Sequence, residues 1–159
     1  MINQKEITNE WLSKVSKENK NADKILVEKV VRALLLLEGL VKQKVSFIFK
    51  GGTALMLHFN STRRLSIDID IILPQEIENL EQTLDLLALE QGFLRKQLQH
   101  RDTKSKIKKE HYKFFYTPLH KTNKVEEYVL LDILYEEANY SKIILLPIKS
   151  TFVPIIDEP

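Results

Sequence analysis

Residues 65–73 read Leu-Ser-Ile-Asp-Ile-Asp-Ile-Ile-Leu, and this alternation constrains the chain more than any other feature of it. Successive side chains of a strand point to opposite faces, so Ile67, Ile69, Ile71 and Leu73 share one side and Ser66, Asp68 and Asp70 the other. A period of two cannot place those residues on one stripe of a helix. Pro74, which has no N–H for a ladder, closes the run. The fold must therefore contain a sheet with one apolar face to cover and one face carrying two carboxylates about 6–7 Å apart.

The neighbouring segments supply the cover. Residues ~5–19 predict a short polar helix. Asp23 is placed to cap a longer one, in which Leu26, Val30, Ala33, Leu34, Leu37 and Val41 recur at helical spacing, with Gly39 near its end. Residues 46–49 form a brief β-rich run that stops at Lys50-Gly51-Gly52-Thr53, and residues 54–59 resume a helical composition. The order is strand, glycine turn, helix. Residues 76–91 predict an amphipathic helix with Ile77, Leu80, Leu84 and Leu87 inward, Leu86 being a weaker candidate for the same face, stopped by Gly92. Residues 93–100, 112–117 and 125–135 read as extended, joined by polar hairpin loops at 101–109 and 118–124, and residues 142–148 as a last strand. Early strands alternate with helices and later ones follow one another directly. That pattern predicts an α/β or α+β fold with a mixed β-sheet flanked by helices, a single domain over 1–159 with N-terminal helices at about 5–43.

Composition excludes several classes. A balance of 24 Lys+Arg against 22 Asp+Glu, 43% apolar and 29% charged residues, is that of a globular chain rather than a disordered one. The absence of cysteine excludes a disulfide framework, a thiolate metal site and a cysteine nucleophile, and it fits a reducing compartment, so a cytoplasmic location is expected. The first twelve residues have no apolar core for a signal peptide. The greasiest run, residues 30–41, carries Arg32 and Glu38 and falls short of the ~20 apolar residues a membrane span needs, so no membrane passage is expected. A pI near 8.7 is too mild to announce a nucleic-acid binder by itself.

The chemistry concentrates in three places. Two of the four glycines are adjacent at 51 and 52. They let the backbone turn sharply, and the N–H groups of Thr53, Ala54 and Leu55 at the following helix start can then face a phosphate; the alternative is a plain tight turn. Asp68 and Asp70 offer hard oxygen ligands suited to Mg²⁺ or Mn²⁺, the alternative being the solvated side of a strand. Asp132 shares a face with Leu130 and Leu134 that reads as buried. A carboxylate there costs several kcal/mol unless a cation neutralises it, either a metal shared with Asp68 and Asp70 or an ion pair with Arg63 or Arg64. Glu126 and Glu127 are lesser candidates for the third ligand. His58, His100, His111 and His120 show no ligand spacing and receive no catalytic part. Gly51-Gly52-Thr53 lacks the Gly-Lys-Ser/Thr ending of a P-loop, which disfavours an ATPase. Lys104, Lys106, Lys108 and Lys109, followed by Tyr112, Lys113, Phe114, Phe115 and Tyr116, combine charge and aromatics as single-stranded nucleic-acid binders do. A solvated loop leading into a core strand is the stronger reading.

Phe47-Ile48-Phe49-Lys50-Gly51-Gly52-Thr53-Ala54-Leu55, followed by Arg64-Leu65-Ser66-Ile67-Asp68-Ile69-Asp70, resembles the AbiEii-type nucleotidyltransferases, abortive-infection toxins of the polymerase-β-like superfamily. Asp132, in Leu130-Leu131-Asp132-Ile133, falls where such proteins place a third carboxylate. The resemblance runs from about Asp23 to the C-terminus. It implies that Asp68, Asp70 and Asp132 are catalytic and bind Mg²⁺ or Mn²⁺, that Gly51, Gly52 and Thr53 hold the triphosphate, and that Lys50, Arg64 and Ser66 assist them. It also implies transfer of a nucleoside monophosphate from an NTP to an acceptor, RNA and notably tRNA in related toxins, within a toxin–antitoxin or phage-defence system with a cognate antitoxin. Two departures accompany it. Such proteins continue into a helical C-terminal region that is expected to be absent from this chain, and the lysine common in the helix after Gly-Gly is replaced by Met56-Leu57-His58-Phe59, which shifts phosphate contacts to Lys50, Arg63 or Arg64. The alternatives are a small-molecule, antibiotic-type nucleotidyltransferase and a non-catalytic nucleotide- or protein-binding module.

Overall fold

The computed structural model describes residues 2–18, 23–50, 68–102, 108–119 and 125–135. The glycine turn, the 54–59 helix and the 142–148 strand lie outside them. A 3₁₀ turn at Gln4–Glu6 leads into α1 (Asn9–Glu18) and α2 (Lys24–Lys42), then β1 (Ile48–Lys50), β2 (Asp68–Leu73), α3 (Leu80–Glu90), β3 (Arg95–Asp102), β4 (Lys108–Tyr116) and β5 (Glu127–Tyr135). The strands form one sheet in the order β1-β2-β5-β4-β3. Among the described strands only the β2–β5 pairing is parallel; β1–β2, β4–β5 and β3–β4 are antiparallel. The mixed sheet flanked by helices is therefore observed.

Local signals set the helix starts. Asp23 caps α2 as the sequence predicts, its carboxylate accepting from the Ile25 amide at 2.9 Å. The helix is buried nearly all round, because Ala33, Leu36, Leu37 and Leu40 face the sheet while Val27, Val30, Val31, Leu34 and Leu35 pack with Leu12 and Val15 of α1. Two partners take two stripes, which leaves Leu26 and Val41, predicted on the inner face, exposed at the helix ends. Gly39 lies near the end of α2, as the sequence predicts. A Cβ there would lie 2.5 Å from Leu87 Cγ, so the glycine is a contact point that lets α3 close on α2.

The helix predicted over 76–91 begins four residues later, since Asn79 adopts a left-handed φ of 61° that no helical residue can hold. Leu84 and Leu87 are inward, Ile77 is partly buried and Leu86 is exposed. Gly92, at φ 82°, ends the element as expected. The hairpin between β3 and β4 is shorter than the predicted loop, with Arg101 opposite Glu110 and Asp102 opposite Lys109 in the ladder. Among the described strands β3 lies at the edge of the sheet, where polar residues are favoured, so its polar end disguised the strand.

One face of the sheet carries the core. Ile69, Ile71 and Leu73 of β2, Tyr112, Phe114 and Tyr116 of β4, and Val129, Leu131 and Ile133 of β5 pack beneath α2 and α3. The aromatics of β4 alternate inward, as predicted. Charged groups on that side are paired: Glu28 with Arg32 at 3.0 Å, Glu38 with Lys42 at 3.1 Å and Glu127 with Lys29 at 3.4 Å.

Candidate functional site

The opposite face is built by the alternate residues of the same strands. β2 lies between β1 and β5, and its parallel register sets Asp70 against Asp132 and Asp68 against Leu130. Adjacent strands run about 4.8 Å apart, so two carboxylates start from neighbouring backbone positions in the middle of the sheet. The antiparallel partner of Asp70 on its other side is Lys50. Beyond Asp132 the register continues to His111 of β4. Lys50, Asp70, Asp132 and His111 thus make one row across four strands.

The sequence reading of Asp132 is corrected in one respect. Its face, with Leu130 and Leu134, is the half-buried one, and the core is formed by the opposite parity of Val129, Leu131 and Ile133. Asp132 is 28% exposed and needs no partner merely to escape an apolar interior. It has one all the same: His111 Nδ1 lies 2.5 Å from Asp132 Oδ1. In the tautomer that carries its proton on Nδ1, His111 donates this bond and the carboxylate accepts it. No local spacing pointed to His111. Its clue was parity, since Tyr112, Phe114 and Tyr116 turned inward leave His111 and Lys113 on the carboxylate face.

The lesser third-ligand candidates are engaged elsewhere. Glu126 accepts two bonds of 2.9 Å from Arg95, a bidentate pair that lowers its pKa and raises that of the guanidinium. Glu127 is buried on the helix side. Gly51, Gly52, Thr53, Arg63, Arg64 and Ser66 lie outside the described residues, as do Lys104 and Lys106. Lys108 is bound to Glu76 at 2.7 Å and to Glu110 at 3.4 Å, which removes it from the basic loop. Those three residues line a 350 Å³ cavity over Tyr112, whose hydroxyl lies 2.7 Å from Glu110 Oε2 and 2.8 Å from Glu81 Oε1. Burial, reinforced by the two carboxylates, pushes that phenol well above its ordinary pKa.

Along β5 from Asp132, the carboxylate face becomes aromatic and basic. Phe115 and Tyr128 are register partners with ring centroids 5.9 Å apart. Arg95 lies 4.1 Å over the first ring and Lys113 4.4 Å over the second.

The donor set suits a hard divalent cation. Asp70 and Asp132 supply carboxylate oxygens from facing positions, and Mg²⁺ and Mn²⁺ prefer oxygen ligands. Among the described residues no three metal-ligating side chains converge.

The profile of a family described as "Nucleotidyl transferase AbiEii toxin, Type IV TA system" matches residues 35–155, a span that includes β1, β2, β5 and every expected site residue. The chain belongs to the AbiEii nucleotidyl transferase toxin family. Among solved structures, MenT4, a nucleotidyltransferase toxin of Mycobacterium tuberculosis H37Rv, is similar at 19% identity with a TM-score of 0.39. The match covers 86% of this chain and 49% of that one, so the chain spans about half the length of that relative. No curated protein matches. In this AbiEii-family chain the third expected carboxylate, Asp132, stands next to the second in the sheet, 62 residues of sequence later, and no helix of the described residues is long and apolar enough to cross a membrane.

Proposed function

We propose that this chain is the nucleotidyltransferase region of a type IV toxin, which moves a nucleoside monophosphate from an NTP to a hydroxyl of RNA, with tRNA the leading acceptor. The register of Asp70 against Asp132 carries the reading. Carboxylates at facing positions of adjacent strands offer hard oxygen ligands from two elements, which a divalent ion between them would join into one binding site. Asp68, Asp70 and Asp132 would hold Mg²⁺ or Mn²⁺, which when bound offsets charge on the transferring phosphoryl group. Gly51, Gly52 and Thr53 would hold the triphosphate through backbone N–H groups, with Lys50, Arg64 and Ser66 as further contacts. Asp132 would take the proton of the acceptor hydroxyl while that oxygen bonds to the α-phosphorus, the bond to the β-phosphate oxygen breaks and pyrophosphate leaves. Catalysis of this kind rests on position and electrostatics.

The RNA acceptor is supported by the Phe115–Tyr128 pair and its flanking Arg95 and Lys113. Tyr128 is four residues from Asp132 on β5, about 13 Å at the rise of a strand, within reach of two unstacked nucleotides. The same proposal includes a cognate antitoxin, a role in phage defence and a cytoplasmic location. The test is to incubate the protein with each labelled NTP, Mg²⁺ and total RNA. Label should enter RNA, and Asp70→Asn should remove it. Transfer to a small aminoglycoside-like acceptor but not to RNA would favour the antibiotic-type alternative, and binding of NTP without any transfer would favour a non-catalytic module.

A further inference from the structure

The row across the sheet assigns a part to a residue that neither the sequence pattern nor the family match singles out. His111 and Asp132 are register partners on β4 and β5, so both backbones deliver the imidazole to the carboxylate. Their side chains are 34% and 28% exposed. An ion pair that open contributes no more than about 1 kcal/mol to folding, which makes stability a poor account of so close a contact. Asp132 has two oxygens. Oδ1 accepts from His111 Nδ1, and no other described residue bonds this carboxylate, which leaves Oδ2 for another ligand. On the far side of Asp132 in the same row stands Asp70.

We propose that His111 is the positioning residue of the site: through Nδ1 it fixes the rotation of the Asp132 carboxylate and reserves Oδ2 for the divalent cation shared with Asp70. The inference rests on the metal-dependent reading above. Carboxylate ligands are commonly held by a hydrogen bond from behind, and loss of such a partner weakens metal binding about 10- to 100-fold. His111 touches neither substrate nor metal in this role. It decides only how Asp132 meets the ion.

The test is Mn²⁺ affinity of the whole chain, read as free Mn²⁺ by electron paramagnetic resonance, together with the Tm measured without metal. His111→Phe keeps a ring and removes the donor; it should weaken Mn²⁺ binding at least tenfold while Tm stays close to that of the parent. His111→Asn, whose amide can donate from a similar reach, should restore the affinity to within about threefold. If His111→Phe does not fold, His111→Ala supplies the arm without a donor. Asp132→Asn separates this proposal from the reading beneath it. Weak binding in Asp132→Asn with unchanged binding in the donor-less variant overturns the role of His111 and leaves the metal site standing. Equal weakening in His111→Phe and His111→Asn also overturns it, because the hydrogen bond would then not be what matters. Unchanged binding in Asp132→Asn overturns the metal reading and this inference together.

Discussion

The two faces of the sheet are written by the same strands in alternate residues and obey different rules. On the helix side Ile69, Phe114 and Leu131 are fully buried, and the buried glutamates found there, Glu28, Glu38, Glu110 and Glu127, each meet a cation. On the other side Asp70 faces Asp132 in the centre of the sheet, in a row that runs from Lys50 to His111. The contrast teaches that parity, more than depth, separates the core-forming residues from the expected site residues.

Substitutions on the two faces should separate accordingly. The largest effect is expected for Phe114→Ala, which empties a fully buried ring site packed edge-on against Phe93 at 5.4 Å; a loss of about 3–5 kcal/mol in urea denaturation is expected, against clearly less for Phe115→Ala one residue later on the open face. Equal losses would erase the distinction between the faces. Gly39→Ala comes next. Its Cβ would meet Leu87 and Gln91 at 2.5 and 2.9 Å, so α3 must shift away from α2, at about 1–3 kcal/mol in the same experiment.

A smaller effect is expected at high pH. Burial is the main cause that raises the pKa of both Tyr112 and Tyr116, so the folded chain keeps their phenols neutral where the unfolded chain ionises them from about pH 10. Their contribution to stability is therefore complete below pH 10 and declines above it. Thermal melts from pH 8 to 11 should show the decline, and Tyr116→Phe should reduce its slope. The smallest effect is expected for Asp132→Asn. Its contact with His111 is about a third exposed, and the change in unfolding free energy should stay within about 1 kcal/mol of the parent. A loss near that of Phe114→Ala would show the carboxylate to be structural.

The sequence is legible where one residue decides its own surroundings. Asp23 caps its helix through a local bond, and Ile69, Ile71 and Leu73 of β2 are buried on one face as their alternation predicts, although Ile72 on the other face is buried too. Reading failed where a second element decides. Leu26 and Val41 match the periodicity of α2, yet the helix buries two other stripes against two partners. Gly39 lies near the end of α2 as read, but its part as the crossing point with α3 is set by Leu87 and Gln91. In Val129-Leu130-Leu131-Asp132-Ile133-Leu134 both parities are apolar, so alternation could not say which one is the core. His111 lies 21 residues from Asp132 and became visible only through the pairing of β4 with β5.

The central claim is that the open face binds metal and nucleotide through the facing aspartates. Titration calorimetry of each NTP into the protein with Mn²⁺, repeated with Asp70→Asn and with Asp132→Asn, tests it most directly. At least one NTP should bind the parent chain in a Mn²⁺-dependent way, and each variant should lose at least tenfold in affinity while melting like the parent. Unchanged Mn²⁺-dependent binding in both variants would contradict the claim.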